Sequence, residues 1–226
     1  MAQPQIDDVE AFNDRLAREH DIDDYYDRSS LPIRLIEQRR LKHIVDLVDA
    51  RPGDRILEVG CGGGHVLRQF PKAKLTGIDV SGVMLEKAER NLRGYDVTLK
   101  KGELDELGIE DDSFDAIVCT EVLEHIVDPD KVLRGIARVA RPGARVVITF
   151  PNDTLINQLK GVILGSPLKM LPPFQRLEWG GDHFHLHVWT IAEMRTLLAR
   201  YFVVVDERFA PTSVMPIRAC FGCRAR

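Results

Sequence analysis

Arg55-Ile56-Leu57-Glu58-Val59 leads straight into Gly60-Cys61-Gly62-Gly63-Gly64, and how this stretch is read decides the fold. The first five residues make a short strand. The glycines let the backbone turn sharply into a helix and let a ligand come close to the main chain. Downstream, Ala73 to Asp79 is a second strand, and Ser81 caps a helix over 83–93. Residues 95–100 form a third strand. Phe114 to Thr120 is a fourth, and its nearly unbroken apolar run predicts burial on both faces. Pro129 opens a helix with Val132, Leu133, Ile136 and Val139 on one face; Arg141-Pro142-Gly143 ends it, and Ala144 to Phe150 is a fifth strand. Strands alternating with helices at this spacing predict right-handed βαβ units and a parallel sheet.

Upstream of the Arg51-Pro52-Gly53-Asp54 break, Leu35, Ile36, Leu41, Ile44, Val45, Leu47 and Val48 recur at helical spacing. Residues 1–50 are therefore read as an N-terminal helical cap, helical over 6–50. After Pro151 the rhythm stops: 152–188 is a long insertion, apolar over 155–171 and then rich in His. Thr190 to Glu193 is a capping box that opens another helix, 202–206 is a sixth strand, and 214–223 is a candidate seventh. The main domain is thus 51–226, with 152–188 inserted as a lid over the pocket.

The chain has 226 residues, with 31 Lys plus Arg against 35 Asp plus Glu and a net charge of −4. One domain with an appended segment suits that length. The charge balance excludes a strongly basic protein held to nucleic acid by bulk attraction. No apolar run reaches the ~20 residues of a membrane-spanning helix. Met1 to Glu10 is polar and acidic without a signal-peptide core. Four Cys do not make a disulfide framework, and a reduced, cytoplasmic location is expected. Cys220 and Cys223 lack a second Cys pair for a structural zinc and are placed in the last strand. Cys61 and Cys119 are expected to be small buried residues.

The loop reads G-x-G-x-G behind an acid, Glu58. His65 stands where G-x-G-x-x-G needs its last glycine, which argues against the alternative of an NAD-dependent oxidoreductase. Asp79 ends the second strand, 19 residues after Gly60. A carboxylate at that place can hold both hydroxyls of a ribose.

ILEVGCGGG, GIDVS, KGELDELGIEDDSFDAIVCTEVLEH and RPGARVVITFPN, in that order over about residues 55–152, resemble the class I S-adenosylmethionine-dependent methyltransferases. The resemblance implies an α/β fold: a Rossmann-like, seven-stranded, doubly wound sheet whose last strand is antiparallel. It implies S-adenosylmethionine as cofactor. The loop of Gly60, Cys61, Gly62 and Gly64 would face its methionine part, and Glu58 its ammonium. Asp79, followed by Val80, would take the ribose hydroxyls. Glu103 and the N–H of Leu104 would reach the adenine, and Thr120 would border the methyl group. The family more often has Asp where Glu103 stands, and Pro-Phe where Gly108-Ile109 stands.

Ligands in open parallel sheets bind beyond the carboxyl ends of the strands. The residues just past Thr120 are Glu121-Val122-Leu123-Glu124-His125. In a helix, Glu121, Glu124 and His125 share one face. Two carboxylates and an imidazole can bind a divalent cation. The His-rich stretch Asp182 to Thr190 can add a ligand from across the pocket. The pattern E-x-x-E-H, then Phe-Pro-Asn, then D-H…W-T resembles two metal-using branches of the superfamily: the ubiquinone-biosynthesis O-methyltransferases and the small-RNA 3′-end 2′-O-methyltransferases. In the second branch the ligand lies four residues before Trp-Thr, which is His185 here; His187 competes. The expected acceptor-side set is Glu121, Glu124, His125 and His185, holding Mg²⁺ or Mn²⁺, with Zn²⁺ or Fe²⁺ as alternatives. Without metal, His125 serves as general base. The plain alternative is that Glu124 and His125 shape the pocket and that His183, His185 and His187 form one face of a strand.

The reading is methyl transfer from S-adenosylmethionine to a small or lipid-like acceptor, at a hydroxyl. The rivals are a metal-free N- or C-methyltransferase, an RNA 2′-O-methyltransferase, and a non-catalytic cofactor-binding module. The missing basic excess argues against nucleic acid. Residues 155–171 are either a helix packed over the pocket or a peripheral membrane contact. By family analogy, Tyr25 and Tyr26 stand near the acceptor. Oligomeric state is left open.

Overall fold

A computed structural model describes residue 14, residues 31–170 and residues 185–226. Its first element is α1 (Leu31–Val48). There follow β1 (Arg55–Val59), β2 (Lys74–Asp79), α2 (Gly82–Asn91), β3 (Val97–Lys101) and β4 (Phe114–Thr120). Then come α3 (Pro129–Val139), β5 (Ala140–Pro151), α4 (Asp153–Leu164), α5 (Ile191–Leu198), β6 (Phe202–Pro211) and β7 (Pro216–Ala225). The seven strands form one sheet in the order β3-β2-β1-β4-β5-β7-β6. All neighbours are parallel except β7, which runs antiparallel to both β5 and β6. This is the expected doubly wound sheet with an antiparallel last strand.

Helices cover both faces. One layer gathers Leu133, Ile136 and Val139 of α3 with Met194 and Leu198 of α5. The other gathers Ile44 and Val48 of α1 with Leu85 and Ala88 of α2. Between them Ile117, Val118 and Cys119 of β4 are fully buried, as a central parallel strand requires. Local signals act as read. The Ser81 hydroxyl accepts the Met84 N–H (3.2 Å) at the start of α2. Asp128 caps α3, where Pro129 is the first helical residue. Thr190 and Glu193 form the capping box of α5.

Three readings differ. The glycine loop passes not into a helix but into a single 3₁₀ turn, Leu67–Gln69. The physical cause is Pro71, which excludes Phe70 from helical geometry; Phe70 has φ −119° and ψ 59°. Arg141-Pro142-Gly143 lies inside the extended β5 rather than before it, because the pairing with β4 jumps from Phe114–Ala140 to Ala116–Arg145 and the extra residues bulge out. Strand β6 runs on to Pro211, beyond the expected 202–206, and β7 is displaced two residues along the chain from the expected 214–223, since the two pair with each other to their ends. Of the helical cap, α1 and residue 14 are described; Tyr25 and Tyr26 lie outside the described residues, as do Asp182 and His183. Cys220 and Cys223 lie in β7, and all four cysteines are free and buried. Among the described residues no helix is long and apolar enough to cross a membrane.

Candidate active site

The carboxyl ends of β1, β2, β4 and β5 meet at one rim. On its first half, the N–H groups of Gly60 and Cys61 both donate to the Ile78 carbonyl (2.9 Å each), which pins the loop against β2. Gly60 has φ +71°, and a Cβ there would stand 2.5 Å from Val122 Cγ2, so only glycine fits. Gly62 has φ +48° and nothing within 4 Å of where a Cβ would stand. That is the open side from which a ligand can approach the main chain. The Asp79 carboxylate fastens the turn: Gly62 N–H donates to Oδ2 (2.8 Å) and Ser81 N–H to Oδ1 (2.9 Å). Burial nevertheless holds the Asp79 carboxyl above the usual aspartate range. From the far N-terminus, Asp14 reaches this turn and accepts the Ser81 hydroxyl (2.5 Å).

Glu58 is 2 % exposed, and its Oε2 has no hydrogen-bond partner. Thr120 approaches the other oxygen at 3.5 Å. Burial pushes the Glu58 carboxyl up to about 8. A buried carboxylate with an orphaned oxygen beside an open glycine cradle, and a second carboxylate on the neighbouring strand, suit a ligand that brings an ammonium and a ribose diol. Of the two residues expected at the adenine, Glu103 is half-exposed and accepts Lys131 Nζ (2.7 Å), while the Leu104 side chain is buried.

The raised Glu58 value has a consequence for binding. A cationic ligand selects the ionised form, so below pH 8 binding must expel a proton. For S-adenosylhomocysteine, the ligand the resemblance implies, the affinity is expected to rise between pH 6 and 8, by up to about tenfold per unit. Titration calorimetry across that range checks it, and Glu58→Gln should flatten the slope. The sign for stability is opposite. The favourable contribution of protonated Glu58 is full below the unfolded value near 4.5 and fades as pH climbs towards 8.

The second half of the rim begins at Glu121. It is not in a helix: its φ is +53°, and a 3₁₀ turn, Leu123–His125, follows. The shared helical face expected for Glu121, Glu124 and His125 is therefore absent. The turn instead docks the end of the insertion, since Leu186 N–H (2.8 Å) and His187 N–H (3.2 Å) donate to the Glu124 carbonyl. This brings His185 against His125, ring centroids 4.8 Å apart and edge to face. Glu124, His125 and His185 offer ligand atoms that all lie within 4.8 Å of one another. Glu124 is 1 % exposed, and neither carboxylate oxygen has a hydrogen-bond partner. Burial, with Glu121 nearby, holds its carboxyl well above the usual range.

Glu121 stands apart from the trio: its carboxylate accepts Thr149 Oγ1 (2.9 Å) and faces Arg218 Nε (3.4 Å). His187 also stays out, donating to the Ile126 carbonyl (2.9 Å) and stacking on Trp189 at 5.0 Å. One residue was not anticipated. Asp153, in the first turn of α4, accepts His185 Nδ1–H at 2.6 Å, and both side chains are under a tenth exposed. It adjoins the Phe150-Pro151-Asn152 segment, so an acid directly after that segment was the available signal.

An open sheet with a glycine cradle at the first strand and an acid at the end of the second defines a Rossmann-like nucleoside-binding enzyme. The methyltransferase-domain family matches residues 57–148. A ubiquinone biosynthesis O-methyltransferase from Aeromonas salmonicida is 34% identical over 170 residues, 72% of this chain and 68% of that protein. One from Alkalilimnicola ehrlichii is 31% identical over 153 residues, 66% of this chain; the match spans 62% of that relative's length. The N-methyltransferase NodS from Bradyrhizobium japonicum, solved with S-adenosyl-L-homocysteine, shares the fold with a TM-score of 0.69, covering 96% of this chain and 99% of that one at 17% identity. The chain belongs to the class I S-adenosylmethionine-dependent methyltransferases.

Proposed function

We propose that the protein moves the methyl group of S-adenosylmethionine to a hydroxyl of a small or lipid-like acceptor, at the trio of Glu124, His125 and His185. The observation that carries this is the hydrogen-bonded chain Asp153–His185 standing against His125 at the end of β4. A sulfonium methyl is already activated, so the enzyme must supply an aligned, deprotonated nucleophile. His125 takes the hydroxyl proton. Asp153 fixes the ring of His185, which in turn packs on His125. Glu58 and Asp79 hold the cofactor's ammonium and ribose. The relatives' name, O-methyltransferase of ubiquinone biosynthesis, supports oxygen as the receiving atom.

The same trio suits a divalent cation. Glu124 has two buried oxygens without partners, and Asp153 backs His185 as an outer-sphere carboxylate does. Glu124, His125 and His185 would be the ligands, a donor set nearer to Mn²⁺, Zn²⁺ or Fe²⁺ than to Mg²⁺. Such an ion, when bound, lowers the pKa of a coordinated hydroxyl. Lipid-like character of the acceptor is supported by exposed Val162 and Met170 in the 155–171 stretch. It is also supported by exposed Val214 in the β6–β7 turn. The start of β7, just after that turn, is tied to the start of α4 through Asn152 N–H to the Ile217 carbonyl (2.9 Å).

The test is transfer of labelled methyl to an alkylated catechol, a short RNA and an amine, with and without EDTA. Transfer to the catechol is expected. Loss with EDTA and recovery with Mn²⁺ supports the cation. Activity that survives both EDTA and Glu124→Ala removes the cation and leaves His125 as base. Transfer to the amine alone overturns the hydroxyl reading.

A further inference from the structure

Glu121 has a geometry that no acceptor-side role explains. Its φ of +53° is one of three left-handed non-glycine conformations among the described residues. An L-residue keeps that conformation only where its surroundings hold it. Here the backbone N–H donates to the Thr149 carbonyl (3.1 Å), and Oε1 accepts the Thr149 hydroxyl (2.9 Å). Oε2 faces Arg218 Nε at 3.4 Å. Arg218 Nε also lies 3.1 Å from Glu37 Oε1, and Glu37 Oε2 accepts Arg40 Nε at 2.7 Å. Arg40 closes the ring, with Nη1 4.0 Å from Glu121 Oε1. Glu37 and Arg40 come from α1 and are 4 % and 3 % exposed. One buried acid, Glu37, one partly buried acid, Glu121, and two guanidiniums thus cancel, drawn from α1, β7 and the end of β4.

We infer that Glu121 is a positioning residue: the Glu37–Arg40–Arg218 cluster holds its side chain so that the left-handed kink turns the chain into the 123–125 turn and aims Glu124 and His125 at His185. This assigns α1 a part in the reaction centre, because half of the clamp belongs to that helix. It also explains why two acids three residues apart behave differently. One is neutralised by arginines, and the other is left alone with the imidazoles. The inference rests on the trio being the acceptor side only for its importance; the geometry it describes is separate.

A glycine-versus-alanine comparison tests it. Glycine adopts φ near +53° freely, whereas alanine does not. With ¹⁵N-histidine-labelled protein, and His125→Gln and His185→Gln spectra for assignment, the imidazole resonances of His125 report the turn. They are expected to shift in Glu121→Ala and to keep their wild-type positions in Glu121→Gly. Identical spectra for the two variants overturn the inference. If Glu121→Ala does not fold, Glu121→Gly and Glu121→Gln decide: glycine is expected to retain the His125 resonances, and glutamine, which gives the arginines no charge to hold, to shift them; the same spectrum for both overturns it. Failure of the acceptor-side reading looks different. His125→Gln then leaves methyl transfer intact while the Ala–Gly difference persists.

Discussion

His125→Gln is expected to slow methyl transfer by about 10²- to 10⁴-fold, the usual range for removing a positioned general base, while S-adenosylhomocysteine binds within about threefold of wild type. The separation follows from where the residue stands. His125 lies past the end of β4, packed on His185 at 4.8 Å. Glu58 and Asp79, the groups proposed to hold the cofactor, lie at the ends of β1 and β2. Glutamine keeps a hydrogen-bonding side chain of similar reach but cannot take a proton near neutral pH. Titration calorimetry with S-adenosylhomocysteine and single-turnover methyl transfer measure the two halves. If turnover falls less than about tenfold, His125 is not the base, and it only shapes the pocket.

Asp79→Asn should weaken S-adenosylhomocysteine binding by about 10²-fold or more. Two hydrogen bonds from ribose hydroxyls to a carboxylate are at stake, each worth about 1.5–3 kcal/mol when charged. The substitution also acts on the free protein. Both carboxylate oxygens already receive backbone N–H groups, from Gly62 at 2.8 Å and Ser81 at 2.9 Å. An amide must turn its NH₂ against one of those donors, so the glycine loop loses a tie whichever way the amide faces. Calorimetry gives the affinity, and a thermal melt of the unliganded variant gives the structural share. A loss below about threefold would remove Asp79 from the ribose site.

The cofactor half was legible because its determinants are local. A strand that ends in glycines, and another that ends in an acid, bring Gly60, Gly62 and Asp79 together whenever β1 and β2 pair in parallel. Strands β1 and β4 have the bounds the apolar runs predict, since strands buried on both faces leave an unbroken signature. The acceptor half was legible in residue type only. E-x-x-E-H does not reveal that Glu121 leaves the helical region, because its φ is held by Thr149 and Arg218, 28 and 97 residues away. The choice of His185 over His187 depends on an irregular segment that docks on the Glu124 carbonyl and sends one side chain to Asp153 and the other to Trp189. Period-2 alternation in the sequence puts both histidines on one face, and only the bend of the backbone at Leu186 gives them different partners.

What the chain's order alone determined is the doubly wound sheet, the glycine loop and the acids at the ends of its first two strands. The sheet follows from periodicity, and the loop from glycine at positive φ. What tertiary structure decided is which of two acids and three histidines come together past the end of β4. Those choices are made by charges from α1 and β7, by Thr149 of β5, and by the segment docked on the Glu124 carbonyl, and pairing across such distances in sequence leaves no periodic trace.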